Sequence, residues 1–415
     1  MTTNVVTFGC RLNSYESEII REKALKAGLT NAVVFNTCAV TAEAERQARQ
    51  AIRKYRRDHP DVKIIVTGCA AQINPDSFSK MSEVDQVLGN SEKLIETYFD
   101  PLTEHARISV NDIMAVRETA GHLIAGFDGR TRAFVQVQNG CNHNCTFCII
   151  PYGRGRSRSV PLGVIVEQVR LLLQKGFQEI VLTGVDMTAY GEDLPGKPTL
   201  GQMVKRLLAQ IPELPRLRLS SVDSVEIDKD LLTVFERDER LMPYIHLSLQ
   251  AGDDMILKRM KRRHLRQDAI NICKTLKELR PDITFGADII AGFPTETDEM
   301  FENTLRIVDE CDLSFLHVFP YSPRNGTPAA RMPQVKKEIA KERAARLREA
   351  SHKTLQRTLA RFVGKDMNVL LETDAQGHSE HFLKVKLSHP QQVGHIVRAR
   401  VTGVKDGYVE ASHHS

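Results

Sequence analysis

The sequence predicts an α/β protein in three parts: an N-terminal doubly wound parallel α/β domain, a central partial (βα)6 barrel and a small C-terminal all-β module. Three observations predict this. Over the first quarter of the chain, short β-branched runs alternate with amphipathic helical stretches, the pattern of a parallel sheet. From Ala133 the same alternation occurs six times, too few units for a closed eight-fold barrel. Beyond residue 359 helical periodicity gives way to short strand-like runs separated by Gly and polar turns. The predicted limits are 1–118, 127–357 and 358–415.

In the first part, three strand-like runs end alike. Val5-Val6-Thr7-Phe8 leads into Gly9-Cys10, Ala32-Val33-Val34-Phe35 into Asn36-Thr37-Cys38, and Lys63-Ile64-Ile65-Val66 into Thr67-Gly68-Cys69. Helical stretches lie between them, Ser14 to Lys26 and Ala42 to Arg57, the second with Thr41 as N-cap. Groups just past the strand ends of a parallel sheet line up along one edge. Cys10, Cys38 and Cys69 therefore meet in space as a second three-thiol metal site. A buried cysteine at a strand end is often plain core, so none of the three is informative alone. Short strands at Val84–Leu88 and Arg107–Val110 follow, and the stretch Val116–Gly129, with Gly121, Gly126 and Gly129, reads as a domain boundary.

The barrel strands are predicted at Ala133–Val137, Glu179–Thr183, Arg216–Ser220, Ile245–Leu249, Ile283–Ile290 and Leu313–Pro320, with helices between, the last at Val335–Leu359. After the first strand comes Gly140-Cys141-Asn142-His143-Asn144-Cys145-Thr146-Phe147-Cys148, three thiols spaced C-x3-C-x2-C. Gly140 permits the sharp turn into a loop that reads as neither helix nor strand. Three thiolates leave one metal position open, whereas a structural zinc site closes its tetrahedron with four protein ligands. A [4Fe-4S] cluster held this way has one iron free to bind the amino and carboxylate groups of S-adenosylmethionine (SAM), and the spacing resembles the radical-SAM signature. The competing reading is a zinc loop completed by His143 or a distant ligand. Otherwise His143 has a loop-packing or solvent-facing role.

Other strand ends carry candidate SAM contacts: Gly184 and Asp186 after the second strand, Ser220 after the third, Gln250 after the fourth, and Asp288 on the fifth, ahead of the turn Gly292-Phe293-Pro294. Ser221 and Asp223 stand nearby. Loop Asp and Ser also cap helices, which is the duller role for each. Cys273 and Cys311 read as inert core or boundary thiols. No serine triad, phosphate loop or zinc-protease helix is present.

Composition is that of an ordinary globular chain, 41% hydrophobic and 26% charged, with no apolar run long enough to span a membrane and no secretory signal. Eight cysteines without an export signal point to metal binding in a reducing cytoplasm. Net charge is +5, but Arg331–Lys365 alone carries 11 Lys/Arg against 3 Asp/Glu. With the clusters Arg46–Arg57, Arg154-Arg156-Arg158 and Lys258–Arg266, this suits a polyanion, and a solvated helix face is the alternative. Arg154, Arg156, Arg158, Arg262, Arg263, Arg357 and Arg361 are the candidate RNA contacts. In the C-terminal module, strands are expected at Met367–Leu371, Leu383–Leu387, Ile396–Val404 and Tyr408–Ala411. With no tryptophan in the chain, base stacking there falls to Phe382, Tyr408 or Phe362.

Together these residues resemble the radical-SAM methylthiotransferases. The likeness rests on Thr7-Phe8-Gly9-Cys10-Arg11-Leu12-Asn13, Asn36-Thr37-Cys38-Ala39-Val40-Thr41, Thr67-Gly68-Cys69, the cysteine loop with Ile149-Ile150-Pro151, and His317-Val318-Phe319-Pro320-Tyr321-Ser322. It departs at the second barrel strand, which reads Leu-Thr-Gly rather than the Gly-Gly-Glu of many radical-SAM enzymes. The resemblance implies a methylthiotransferase N-terminal domain, a radical-SAM barrel and a TRAM-like RNA-binding module. It also implies an auxiliary [4Fe-4S] cluster on Cys10, Cys38 and Cys69 beside the radical-SAM cluster on Cys141, Cys145 and Cys148. Within the family the wording is similar to the group that adds a methylthio group to C2 of N6-threonylcarbamoyladenosine next to the tRNA anticodon. Sister enzymes acting on N6-isopentenyladenosine or on a ribosomal-protein aspartate use the same parts. A zinc-stabilised RNA-binding protein is the non-enzyme alternative. The implied partners are the tRNA anticodon stem-loop and a low-potential flavodoxin- or ferredoxin-type electron donor, with the enzyme a cytoplasmic monomer.

Overall fold

The computed structural model describes residues 4–117, 124, 126 and 131–413. The predicted boundary at Val116–Gly129 falls largely outside the described residues. The N-terminal sheet consists of Asn4–Thr7, Ala32–Thr37, Lys63–Gly68, Gln86–Leu88 and Ile108–Ser109, all parallel and in chain order across the sheet. Apolar side chains pack on both faces. Ile20 and Ala24 of the helix Arg11–Lys26 meet Val34 and Ile65 on one face, and Ile52 and Phe78 meet Val33, Phe35, Ile64 and Val66 on the other. Because the strand order never reverses, the sheet has no central switch crevice, and its ligand edge is the row of strand carboxyl ends. The helix begins at Arg11 rather than Ser14, with Cys10 as its N-cap residue.

The central part is an open barrel of six parallel strands. Arg132–Gln136, Glu179–Thr183 and Arg216–Leu219 form one sheet. Ser221–Val222, Tyr244–Gln250, Thr284–Ala291 and Leu313–Pro320 form the second. Ser220 is the bend where the third strand passes from one sheet to the other. The outermost strands, Arg132–Gln136 and Leu313–Pro320, belong to different sheets and do not pair with each other. Helix Arg11–Lys26 packs against the first of them, adding Tyr15 and Ile19 to the barrel's hydrophobic core. The N-terminal domain thus covers an edge that would otherwise expose unpaired backbone.

The C-terminal module is a closed five-stranded barrel. One strand, Gln376–Ser379, is not announced by the sequence, because Gln-Gly-His-Ser carries no β-branched or aromatic residue. Phe362 is buried in the module's core, and Phe382 turns toward the central barrel, its ring stacked on Tyr244 with centroids 4.8 Å apart. Phe362 is therefore not the exposed stacking platform expected of it, whereas Phe382 and Tyr408 are both half-buried. Phe382 also meets the ring of Phe315, and the guanidinium groups of Arg132 and Arg218 lie over its ring. No helix among the described residues is long and apolar enough to cross a membrane.

Candidate iron–sulfur and radical-chemistry site

The cysteine loop begins at Gly140, whose φ is +74°; a Cβ there would overlap the carbonyl oxygen of Arg156. The loop is pinned from outside. Thr146 N–H donates to Met260 O (3.1 Å), its hydroxyl to Arg259 O (2.8 Å), and Ala329 N–H donates to Thr146 O (2.9 Å). Gln138 ties it to the second strand end, donating to Gly140 O (2.7 Å) and Ser157 Oγ (2.9 Å) while accepting from the N–H groups of Val185 (3.0 Å) and Asp186 (2.8 Å). A buried glutamine at a barrel strand end was the one available signal for this role, and sequence reasoning passed over it.

Cys141, Cys145 and Cys148 lie close enough that each thiolate would disfavour the others. Burial pushes the Cys148 thiol up to about 12, with Cys145 adding to it, and burial also raises Cys141, helped by Asp186. Such a donor set is stable in its ligating form only beside concentrated positive charge, which a metal cluster supplies. His143 groups with Cys141 and Asp186, their ligand atoms all within 4.8 Å of one another, rather than with all three thiols as a four-ligand zinc set would need. Its Nε2 sits 2.7 Å from Asp186 Oδ2, and Arg263 reaches the same nitrogen. Asp186 also lies 3.7 Å from Cys141 Sγ, placing that predicted contact at the cluster loop.

The second trio also converges. Burial lifts the Cys38 thiol to about 12, with Cys69 and Cys10 contributing. Gly9 approaches so closely that a Cβ there would stand 2.6 Å from Cys38 Cβ and 2.7 Å from its Sγ, at φ +95°. Asn90 Nδ2 lies 3.7 Å from Cys69 Sγ. All eight cysteines are free thiols. The charges of Cys69 and Cys10 both act on Cys38, but the three thiols are not drawn together tightly enough to share a single ion, and soft donors at that wider spacing suit an iron–sulfur cluster.

Arg154 is not at the surface. It is fully buried, donating to Glu16 Oε1 (2.8 Å) and Oε2 (3.1 Å), and the charges of Cys69 and Cys10 act on it. Lys93 is buried too, 2.7 Å from Glu16 Oε2 and 2.6 Å from Asn90 Oδ1. Burial works against the Glu16 carboxylate, but Arg154 and Lys93 outweigh it and hold its pKa at about 2. Two cations therefore stand behind the auxiliary thiols, where an anionic cluster would need them. Arg158 is likewise buried, donating to the carbonyls of Arg154 and Arg156 (both 3.0 Å). Arg262 is buried beside the first trio, with Nη1 3.9 Å from Cys145 Sγ and Nη2 bonded to Asp223 (2.7 Å) and Ser248 O (2.6 Å). These three leave the RNA-facing set because carboxylates and backbone carbonyls enclose them, distant in sequence for Arg154 and Arg262 and within the same basic run for Arg158. Arg156 and Arg263 remain exposed, the latter paired with Glu226, and Arg357 and Arg361 are half-exposed in ion pairs with Asp309 and Asp312. On the helix Ala42–Asp58, Arg46, Arg49 and Arg56 are paired with Glu43, Glu45 and Asp85, as a solvated helix face requires.

Of the other candidate SAM contacts, Gly184 gives room to Gln138 Oε1, which would be 3.0 Å from a Cβ. Ser220 is buried, its hydroxyl 3.4 Å from Met187 Sδ, and Gln250 adopts φ +72° at its strand end. Asp288 sits within the barrel, 3.1 Å from both His246 Nε2 and His317 Nδ1. Cys273 and Cys311 are core residues in contact with each other.

An open parallel barrel with a three-thiol loop after its first strand defines the radical-SAM class, and residues 135–308 match the model of the radical SAM superfamily. Residues 2–89 match "Uncharacterized protein family UPF0004". The chain is 58% identical to a threonylcarbamoyladenosine tRNA methylthiotransferase MtaB of Rickettsia prowazekii, over 98% of this chain and 96% of that one. It is 36% identical to the MtaB of Aquifex aeolicus (95% and 98% covered), and 34% identical to a tRNA-2-methylthio-N(6)-dimethylallyladenosine synthase of Ehrlichia canis (83% and 82%). In fold it is similar to the radical SAM methyltransferase TsrM of Kitasatospora setae, with TM-score 0.54, 15% identity, and 75% of this chain and 66% of that one covered. The chain belongs to the MtaB family of radical-SAM tRNA methylthiotransferases.

Proposed function

We propose that this enzyme adds a methylthio group to C2 of N6-threonylcarbamoyladenosine beside the tRNA anticodon. In this reading one [4Fe-4S] cluster sits on Cys141, Cys145 and Cys148 and an auxiliary one on Cys10, Cys38 and Cys69. When bound, these groups supply what side chains cannot: reductive cleavage of SAM to a carbon radical able to attack an unactivated C–H bond, and sulfur for transfer. What carries the reading is Cys10, which lines a cavity of about 310 Å3 together with barrel residues Arg132, Phe134, Val181 and Arg218. Of the three N-terminal thiols, Cys10 is thereby open to the chamber that the barrel residues wall, while Cys38 and Cys69 are buried.

The chain's own residues bind, orient and exclude water. Gln138 and Asp186 hold the cysteine loop against the second strand end, and Arg262 puts a fixed positive charge beside Cys145. Arg154 and Lys93 do the same behind Cys69. Phe382 walls the chamber on the side of the C-terminal module. Arg156 and Arg263 remain for RNA, the electron donor is a low-potential flavodoxin or ferredoxin, and a monomer acts in the cytoplasm on the 1–118, 127–357 and 358–415 domain plan.

The test compares two variants. Cys145→Ala abolishes SAM cleavage, whereas Cys38→Ala retains cleavage but makes no methylthio product. Full product from Cys38→Ala defeats the two-cluster reading. Mass spectrometry of tRNA from a deletion strain identifies the modified nucleoside.

A further inference from the structure

The cavity that Cys10 lines contains three guanidinium groups, from Arg11, Arg132 and Arg218. Two are occupied. Arg218 makes a two-point contact with Glu179 (2.8 and 3.2 Å), and Arg132 is paired with Glu372. Arg11 differs: among the described residues no hydrogen bond or ion pair engages its side chain. The carboxylate whose charge reaches it is Asp288, and Asp288 already lies between His246 and His317 at 3.1 Å from each. Arg11 is also crowded by the like charges of Arg132 and Arg218. An enclosed cation cluster with one guanidinium unspent is a receptor for a small anion that arrives with the substrate.

We infer that Arg11 recognises the free carboxylate of the threonylcarbamoyl group and so sets which modified adenosine is accepted. This rests on the proposed function and deepens it. Guanidinium and carboxylate match as planar two-point partners, which a lysine ammonium cannot reproduce. The geometry also suits the reaction. The ureido N–H of the substituent folds back onto N1 of the base, so the carboxylate lies along the edge that carries C2. Arg11 follows Cys10 directly and both line the cavity, so an anion held by Arg11 brings that edge to the side of the chamber where Cys10 opens. An isopentenyl group has no charge to offer, and seating it here would leave the guanidinium desolvated and unpaired. A site built for a polar group rejects an analogue lacking it for that reason.

The experiment measures binding of the anaerobic holoenzyme to synthetic anticodon stem-loops. One carries N6-threonylcarbamoyladenosine, and the other carries the same nucleoside with its carboxylate converted to the primary amide. The wild type prefers the carboxylate by about ten- to a hundred-fold, the range for a hydrogen bond to a charged group. Arg11→Gln, checked for unchanged iron content, binds the two alike. Arg11→Lys, which keeps the charge without the fork, retains part of the preference. A wild-type preference that survives in Arg11→Gln overturns the inference, as does a wild type indifferent to the amide. A preference retained in full by Arg11→Lys overturns the two-point fork as its basis. Failure of the underlying function looks different: the wild type would leave the threonylcarbamoyl stem-loop unmodified while converting an isopentenyl one.

Discussion

Replacing Glu16 by Gln should undo the attachment of the N-terminal domain to the barrel. Glu16 is 1% exposed and accepts three charge-assisted bonds, two from Arg154 at 2.8 and 3.1 Å and one from Lys93 at 2.7 Å. Arg154 belongs to the radical-SAM part and Lys93 to the short helix Glu92–Leu94 of the N-terminal part, so one carboxylate neutralises a cation from each. Glutamine keeps one acceptor oxygen and turns an N–H2 group toward a cation. It leaves two buried positive charges with no counter-charge, and breaking a buried pair from one side costs about 3–5 kcal/mol. The assay is urea unfolding of the cluster-free protein followed by far-UV circular dichroism, where the first transition should move to markedly lower urea. Removing a cation as well, in Glu16→Gln/Lys93→Met, should recover part of the loss, because fewer charges are then stranded. A Glu16→Gln protein that unfolds with the wild type, or a double variant worse than the sum of its singles, refutes the reasoning.

The same carboxylate sets a pH limit. Its folded pKa of about 2 lies below the ordinary 4.5, so the stabilisation is complete above 4.5 and disappears as pH falls toward 2; at ~1.4 kcal/mol per pH unit this is about 3 kcal/mol. Acid titration of wild type should show the loss in that window, and Glu16→Gln should lack it. Gly9→Ala forces a Cβ onto Cys38 at a φ that disfavours any side chain, so iron should fall by about half, with SAM cleavage kept and thiolation lost. Phe382→Ala removes the half-buried ring stacked on Tyr244 and should destabilise the contact between the C-terminal module and the barrel by about 3 kcal/mol, the low end for Phe→Ala, read as a lower melting temperature of the whole chain. If protease resistance and melting are unchanged, that ring does not hold the module in place.

The order of elements and the two groups of thiols were legible because both follow from local properties of the chain. C-x3-C-x2-C brings three sulfurs together within a single loop whatever surrounds it. Cys10, Cys38 and Cys69 could be grouped because a parallel sheet puts equivalent strand ends side by side. The strand Gln376–Ser379 was not legible, because its pairing with Asp366–Leu371 and Lys384–Leu387 imposes an extended backbone that its own residues do not favour.

What the sequence by itself determined was the fold class, the two sets of three cysteines and the family they define. Only the tertiary structure decided what each arginine does. Arg154, Arg156 and Arg158 are consecutive alternate residues of one basic run, yet the first and last are enclosed and the middle one faces solvent. The partner that draws Arg154 inward, Glu16, is 138 positions away. A side chain's charge is written in its own codon, but whether that charge is spent on a neighbour, stands behind a metal site or stays free for a substrate depends on which distant carboxylates the folded chain brings within about 3 Å of it.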